Sequence, residues 1–403
     1  MSIAIHALTS DLHNAKAVSE MTRQFLDSLK VNHIWRGEDF THYGNDDLSL
    51  IYVRTGGTEQ KFRSLMPLLQ QQGHHPVYLL ASDMSNSLPA SMEILSYLTQ
   101  EGFSGEILHG HPQEVADRII LLEKEQNART TLRKQTYGII GHPSDWLISS
   151  AYSTASVKSM YDMELRNIPV KDLLNIYEHT PELSVCDPSV PKSVAPYMSG
   201  ADRIYRALKQ LITERQLSGF TLRCFDLLAA LRNTGCLALA RLKAEGIIAG
   251  CEGDVPAMLT MALSQALTGL TGFQANPASV DVNSREIIFA HCTIPLNMVA
   301  RYDYDTHFES GIGVGIRGWM AKGPVTVFKV AGDLSRYFVA EGDLMECLSR
   351  PDLCRTQLKV RLTQQEKVSY FLTHPIGNHH IILPGHHQAL ISQMMKSDHI
   401  PLV

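Results

Sequence analysis

The opening stretch of about 130 residues alternates between short apolar, strand-like runs and amphipathic helical segments, and this alternation narrows the fold more than any other feature. Strand patterns stand at 2–8, 33–36, 48–54, 76–81 and 105–109, with helical periodicity at 11–29, 59–72, 89–100 and 112–127. Alternation of this kind predicts a parallel sheet joined by right-handed crossovers, a flavodoxin-like or Rossmann-like domain. A basic, polar stretch at 127–135 precedes a new strand at 137–140, which puts a boundary near residue 132.

The α/β grammar continues less tidily from 133 to 285, with helices at 200–215, 237–244 and 255–267 and strands at 221–225 and 247–250. Pro256 sits in the first turn of the last of these helices, where its missing N–H costs nothing. Beyond residue 285 the pattern becomes close-spaced strands, at 286–291, 311–316, 325–330, 358–362, 368–372 and 380–383. Such spacing predicts a β-rich, barrel-like C-terminal domain over 286–403.

Composition sets limits on partners. A chain of 403 residues with 44% hydrophobic and 19% charged residues is that of a globular protein with several cores. A net charge of -5 argues against a nucleic-acid or membrane-surface partner. No apolar run reaches the roughly 20 residues of a membrane span, and the N-terminus lacks a basic leader pattern. Seven cysteines without paired spacing point to reduced thiols and a cytoplasmic setting.

Metal-competent side chains are strung along the second half. Glu252 follows the apolar run Ile247-Ile248-Ala249, Asn276 lies in Gln274-Ala275-Asn276-Pro277, and His291 ends Phe289-Ala290-His291. His379 belongs to a histidine-rich tail that also holds His374, His380, His386 and His387, and spacing alone does not select among them. Strand ends are where a rigid scaffold aims polar groups into a cleft. Mixed oxygen and imidazole ligands suit Mn²⁺ or another divalent ion better than a structural zinc. Each residue also has a plainer role. Asp254 is well placed to cap the helix beginning at Val255, and His291 fits a hydrogen-bonded core position.

In the first domain, Arg54-Thr55-Gly56-Gly57-Thr58-Glu59 ends a strand and opens a helix. A Gly-rich turn there suits an anion or a sugar hydroxyl, although an ordinary βα turn has the same composition. It lacks nucleotide-binding spacing. Asn86 or Ser87 reads as the N-cap of the next helix.

These residues resemble the L-fucose isomerase/L-arabinose isomerase superfamily over most of the chain. The similarity is carried by 54–59 and 86–93, by Arg223-Cys224-Phe225-Asp226, Cys251-Glu252-Gly253-Asp254 and Phe289-Ala290-His291-Cys292, and by Thr306-His307-Phe308-Glu309-Ser310 and Gly377-Asn378-His379. The resemblance implies a homo-oligomer, dimer to hexamer, that interconverts open-chain aldoses and ketoses through an enediol. It implies Glu252, His379, His291 and Asn276 as ligands of Mn²⁺, with Glu252 and Asp254 in proton transfer. Arg54, Thr55, Gly56, Gly57, Thr58, Asn86 and His307 would contact the sugar.

The chain departs from the family at Asn276, where a second ligand carboxylate is usual. An amide oxygen can coordinate but cannot act as a base. Asp226, Asp254, Asp281 and Glu309 are the candidates to replace it. Two alternatives follow: a sugar-binding homologue without turnover, or an isomerase of a sulfonated, phosphorylated or carboxylated sugar. Arg54, Arg223, Arg355 and Arg361 could supply the fork that anions prefer.

Overall fold

The computed structural model describes residues 2–71, 76–185 and 188–403. The chain divides into two compact units, Met1–Asn127 and Ala128–Val403. In the first, β1 (Ile3–Leu8), β2 (Ile34–Gly37), β3 (Leu48–Val53), β4 (Val77–Ala81) and β5 (Gly105–Leu108) form a parallel sheet in the order β2-β1-β3-β4-β5. This is the doubly wound, flavodoxin-like order, with its reversal between β1 and β3. Both faces are covered: Leu48, Leu50 and Tyr52 pack into one core, Ile51 and Val53 into the other. That is why the strands read as continuous apolar runs.

The expected helix over 59–72 is two helices, Glu59–Arg63 and Met66–Gln71, and residue 72 lies outside the described residues. Pro67, near the start of the second, has no N–H to continue the first.

The second unit opens with a parallel sheet of β6 (Thr136–Ile140), β7 (Glu164–Ile168), β8 (Gly219–Leu222) and β9 (Ile248–Cys251), in the order β7-β6-β8-β9. β7 and the flanking helices Thr154–Tyr161 and Val170–His179 are additions to the sequence-based expectation.

β10 (Phe273–Asp281) and β11 (Glu286–His291) then form a hairpin, and β12 (Arg301–Asp305) pairs with β13 (Gly315–Trp319) as a separate ribbon. β14 (Gly323–Val330), β15 (Tyr337–Cys347), β16 (Thr356–Leu362) and β17 (His380–Pro384) join the hairpin in a closed antiparallel barrel, β10-β11-β16-β15-β14-β17. Phe273, Ala275, Ile287, Phe289, Val325, Val327, Leu358, Val360 and Ile382 fill its core at alternate positions.

Three expectations change in this region. Asn276 lies on β10, so it stands on a barrel strand and not in the α/β segment. The strand tolerates Pro277 because its register with β11 shifts between Pro277 and Ser279. Residues 368–372 lie in the helix Gln365–Thr373, whose Val368 and Phe371 are buried one turn apart while Leu372 faces solvent. The strand expected at 311–316 begins instead at Gly315. Among the described residues no helix is long and apolar enough to cross a membrane.

Candidate metal centre

β9 ends at Cys251, and the chain turns sharply there. Glu252 has φ 63°, a left-handed conformation that a residue bearing a side chain adopts at a cost of roughly 1–2 kcal/mol. The turn is held by the Gly253 amide donating to Leu222 O at 2.9 Å and by the Ser144 amide donating to Glu252 O at 3.0 Å. Position 253 must be glycine: its φ is 68°, and a Cβ there would stand 2.5 Å from the His142 carbonyl oxygen. Gln274 on β10 straps the strand end from the barrel side. Its Oε1 accepts the Cys251 amide at 2.9 Å and its Nε2 donates to Cys251 O at 3.3 Å.

Barrel closure brings the two histidines to the same place. β10 pairs with β11 through Asn276 and Ala290 and with β17 through Ala275 and His380, so His291 and His379 flank β10 on either side. Glu252 Oε1 is 3.5 Å from His291 Nε2 and 3.5 Å from His379 Nε2. The two rings meet edge to face at 5.3 Å between centroids. One donor atom from each of the three residues lies within 4.8 Å of the others.

Each ligand has a partner that aims it. His379 Nδ1 donates to Asp254 Oδ2 at 2.8 Å, and Asp254 Oδ1 accepts the Ala257 amide at 2.7 Å, capping the helix Val255–Thr268. Asp254 therefore caps, as its position in the sequence suggests, and also fixes the ring of His379. The carboxylate can only accept, so a proton sits on Nδ1, and in the neutral ring it is Nε2 that carries the lone pair. That Nε2 is buried and makes no hydrogen bond. His291 Nδ1 pairs with Thr293 Oγ1 at 3.3 Å, which in turn accepts from Lys243 Nζ at 3.2 Å. Trp146 Nε1 donates to Glu252 Oε2 at 2.7 Å, leaving Oε1 to face the imidazoles. A buried, orphaned imidazole nitrogen beside a second imidazole and a carboxylate is a donor set that could hold a metal ion.

The electrostatics agree with that donor set. Burial favours the neutral acid at Glu252, but His379 and His291 outweigh it and hold the carboxyl well below the usual range. Burial likewise opposes charge on His379, yet Glu252 and Asp254 lift its pKa to about 9. Burial dominates at His291 and lowers its pKa. The three groups thus form one buried, mutually perturbed charge cluster.

The other expected residues are distributed as follows. Asn276 Oδ1 accepts from Asn378 Nδ2 at 2.9 Å, beside His379. His307 is buried, meets Phe225 edge to face at 5.8 Å, and Phe225 meets Trp146 at 4.8 Å, so these rings form a wall next to Glu252. Burial, then His291, lowers the His307 pKa to about 4. Glu309 is shifted the other way, raised by burial and by Glu252. Asp281 is spent in the β10–β11 hairpin, accepting the Asn283 and Ser284 amides, and Asp226 is paired with Arg223.

Arg54, Thr55, Gly56, Gly57, Thr58 and Asn86 come together in the first unit, but their polar groups serve the turn itself. Arg54 donates to Thr22 and Thr9, Thr55 Oγ1 accepts the Ser10 amide, and Thr58 Oγ1 donates to Thr55 O. The Gly56 amide donates to Ser85 O, and Gly57 has φ 75°. Neither Asn86 nor Ser87 caps the following helix: Asn86 is left-handed with no capping hydrogen bond, and the Ser87 hydroxyl donates to Val53 O. The arginines considered for an anion are also engaged, Arg223 with Asp145 and Asp226, Arg355 with Asp305 and Thr306, and Arg361 with Glu286. Sequence reasoning missed Trp146, Gln274, Thr293, Lys243 and Lys329. Only Gln274 left a trace, two positions before Asn276 on what is one face of β10.

No protein-family model matches the chain. It is similar at low identity to sulfoquinovose isomerases. One from Clostridium sp. (strain MSTE9) is 30% identical over 127 residues, 31% of this chain and 27% of that protein. One from Alkalicoccus urumqiensis is 22% identical over 285 residues, 66% of this chain and 64% of that protein. The matches thus span under two thirds of either relative's length.

Proposed function

We propose that the chain is a metal-dependent aldose–ketose isomerase and that its substrate is an anionic, sulfonated sugar. The observation that carries the first half is the buried Glu252, His291 and His379 set with its unpartnered imidazole nitrogen. The second half is supported by the names of the two relatives, which favour the anionic alternative over a neutral, fucose- or arabinose-like sugar. Glu252, His291 and His379 would hold a divalent ion, Mn²⁺ by the donor chemistry, which would supply Lewis-acid polarisation of a carbonyl beside an acidified C–H.

The residues of the chain then divide the work. Asp254 has both oxygens committed, so it orients His379 and moves no proton. Asn276 cannot take a proton. Of the carboxylates considered as replacement, Glu309 fits the base best, because burial and the nearby Glu252 charge raise its pKa towards the working range. It takes the proton from the carbon beside the carbonyl and returns it to the adjacent carbon through an enediol. His307 stays neutral at pH 7 and serves the proton exchange between the two oxygens. The Trp146, Phe225 and His307 wall shields one side of the sugar.

Proton exchange at C2 is the test. Mn²⁺-loaded protein is incubated in D₂O with 6-deoxy-6-sulfoglucose or with glucose and followed by NMR. Loss of the C2 proton signal with the sulfonated sugar, and much slower loss with glucose, is the expected result. Metal-replete protein that binds the sulfonated sugar without exchange would leave a binding protein in place of an isomerase.

A further inference from the structure

A cavity of about 190 Å³ opens at the mouth of the barrel, walled by Ser149 and Ser150, by Lys329, by the β14–β15 turn with Asp333 and Arg336, and by Gly377. This is below the roughly 300–1,000 Å³ of sites for drug-sized ligands and suits a group of a few atoms. Lys329 shares the alternation of the core-facing Val325 and Val327 and is 1% exposed. Its ammonium makes no hydrogen bond. The nearest carboxylate oxygen, Asp254 Oδ1, is 3.8 Å away and already accepts the Ala257 amide, while Oδ2 accepts from His379. A buried ammonium that carries three donors and has only this long ion pair to Asp254 is costly, and burial lowers the Lys329 pKa against the opposing pull of Asp254.

The rest of the wall is also rich in donors. Arg336 makes no hydrogen bond or ion pair through its guanidinium among the described residues. The Ser150 and Ser149 hydroxyls lie 3.6 and 3.9 Å from where a Cβ on Gly377 would stand, so they line the space that this glycine leaves open. The one acid in the wall, Asp333, spends Oδ1 on the Ser335 amide and hydroxyl.

We propose that the barrel mouth binds a small tetrahedral oxyanion, a free sulfate-like ion or the sulfonate end of a larger molecule, between Lys329 and Arg336 with the Ser149 and Ser150 hydroxyls as further donors. The ammonium and guanidinium give charge-assisted bonds, and the serines complete the coordination. The site does not depend on the isomerase reading, since its ligand is recognised by these donors alone.

Inorganic sulfate is the probe. Calorimetric titration of the full chain with sodium sulfate, against sodium chloride at equal ionic strength, is expected to give saturable binding. Arg336→Gln, on an exposed turn, should weaken it about tenfold or more, the loss of a hydrogen bond to a charged group. Lys329→Met should weaken it further. Repeating the titration in 6-deoxy-6-sulfoglucose separates the two sources: displacement of sulfate assigns the mouth to the sulfonate end, and undisturbed sulfate binding assigns it to a free ion. Heat that never saturates, or sulfate affinity unchanged in Arg336→Gln, would overturn the proposal even if C2 exchange is observed.

Discussion

His379 Nδ1 lies 2.8 Å from Asp254 Oδ2 while Nε2 of the same ring faces Glu252 Oε1 at 3.5 Å. One acid fixes the ring through Nδ1 and the other faces its second nitrogen. Asp254→Asn keeps the size and an acceptor oxygen but removes the charge that holds Nδ1–H. Mn²⁺ affinity, measured by competition with a chelator, should fall about 10- to 100-fold, as for other partners behind metal-bound histidines. An unchanged affinity would show that the ring is held by packing alone.

Asn276 makes a different prediction. Its amide oxygen accepts from Asn378, the residue before His379, and its strand runs between those that carry the two histidines. Asn276→Asp keeps the acceptor and adds a negative charge next to the cation site. Mn²⁺ affinity should stay level or rise. Turnover should change little, because the proton-moving group is elsewhere. A sharp loss of metal would mean that the amide nitrogen, not the oxygen, is what the site requires.

Glu309→Gln removes the proposed base without touching Glu252, His291 or His379. The rate of C2 exchange should drop by about 10²–10⁴-fold with metal content unchanged. Equal rates for the wild type and the variant would return the base role to another group, and His307→Gln is then the variant to measure.

The sequence showed the strand ends but not what aims them. Glu252 and His291 are legible because each follows an apolar run, whereas His379, in a histidine-rich tail, is singled out by the family resemblance alone. The first sheet was legible for the same reason: its strands are buried on both faces and stand out against amphipathic helices. β10 was hidden by Pro277, which reads as a breaker unless a bulge absorbs it. β15 was hidden by Glu341, Gly342 and Asp343 in the middle of an eleven-residue strand. The helix Gln365–Thr373 reads as a strand because a segment as short as Val368–Leu372, rich in β-branched and aromatic residues, does not reveal its period. Trp146 reaches the site from the loop after β6, Lys243 from the helix Cys236–Ala244 and Lys329 from a barrel strand, contacts between positions as much as 106 residues apart, as for Trp146 and Glu252. No local signal encodes them.

Lys243 gives the clearest pH signature. It is fully buried in the helix Cys236–Ala244, and burial lowers its pKa from 10.5 to about 7. Between about pH 7 and 10.5 the unfolded chain holds this proton and the folded chain does not, so stability rises with pH across that window. The contribution is complete above the unfolded value and lost as pH falls to about 7. A shift of this size corresponds to a few kcal/mol, on the order of 5. Lys243→Met fills the same space without a charge, and replacing a buried ion by an apolar side chain of similar volume is often neutral or stabilising by about 1–4 kcal/mol. Urea unfolding at pH 7 and pH 9.5 should show the wild type gaining stability with pH relative to the variant. Parallel pH dependences for the two proteins would mean that Lys243 keeps its proton in the folded state, held through the Thr293 hydroxyl behind His291.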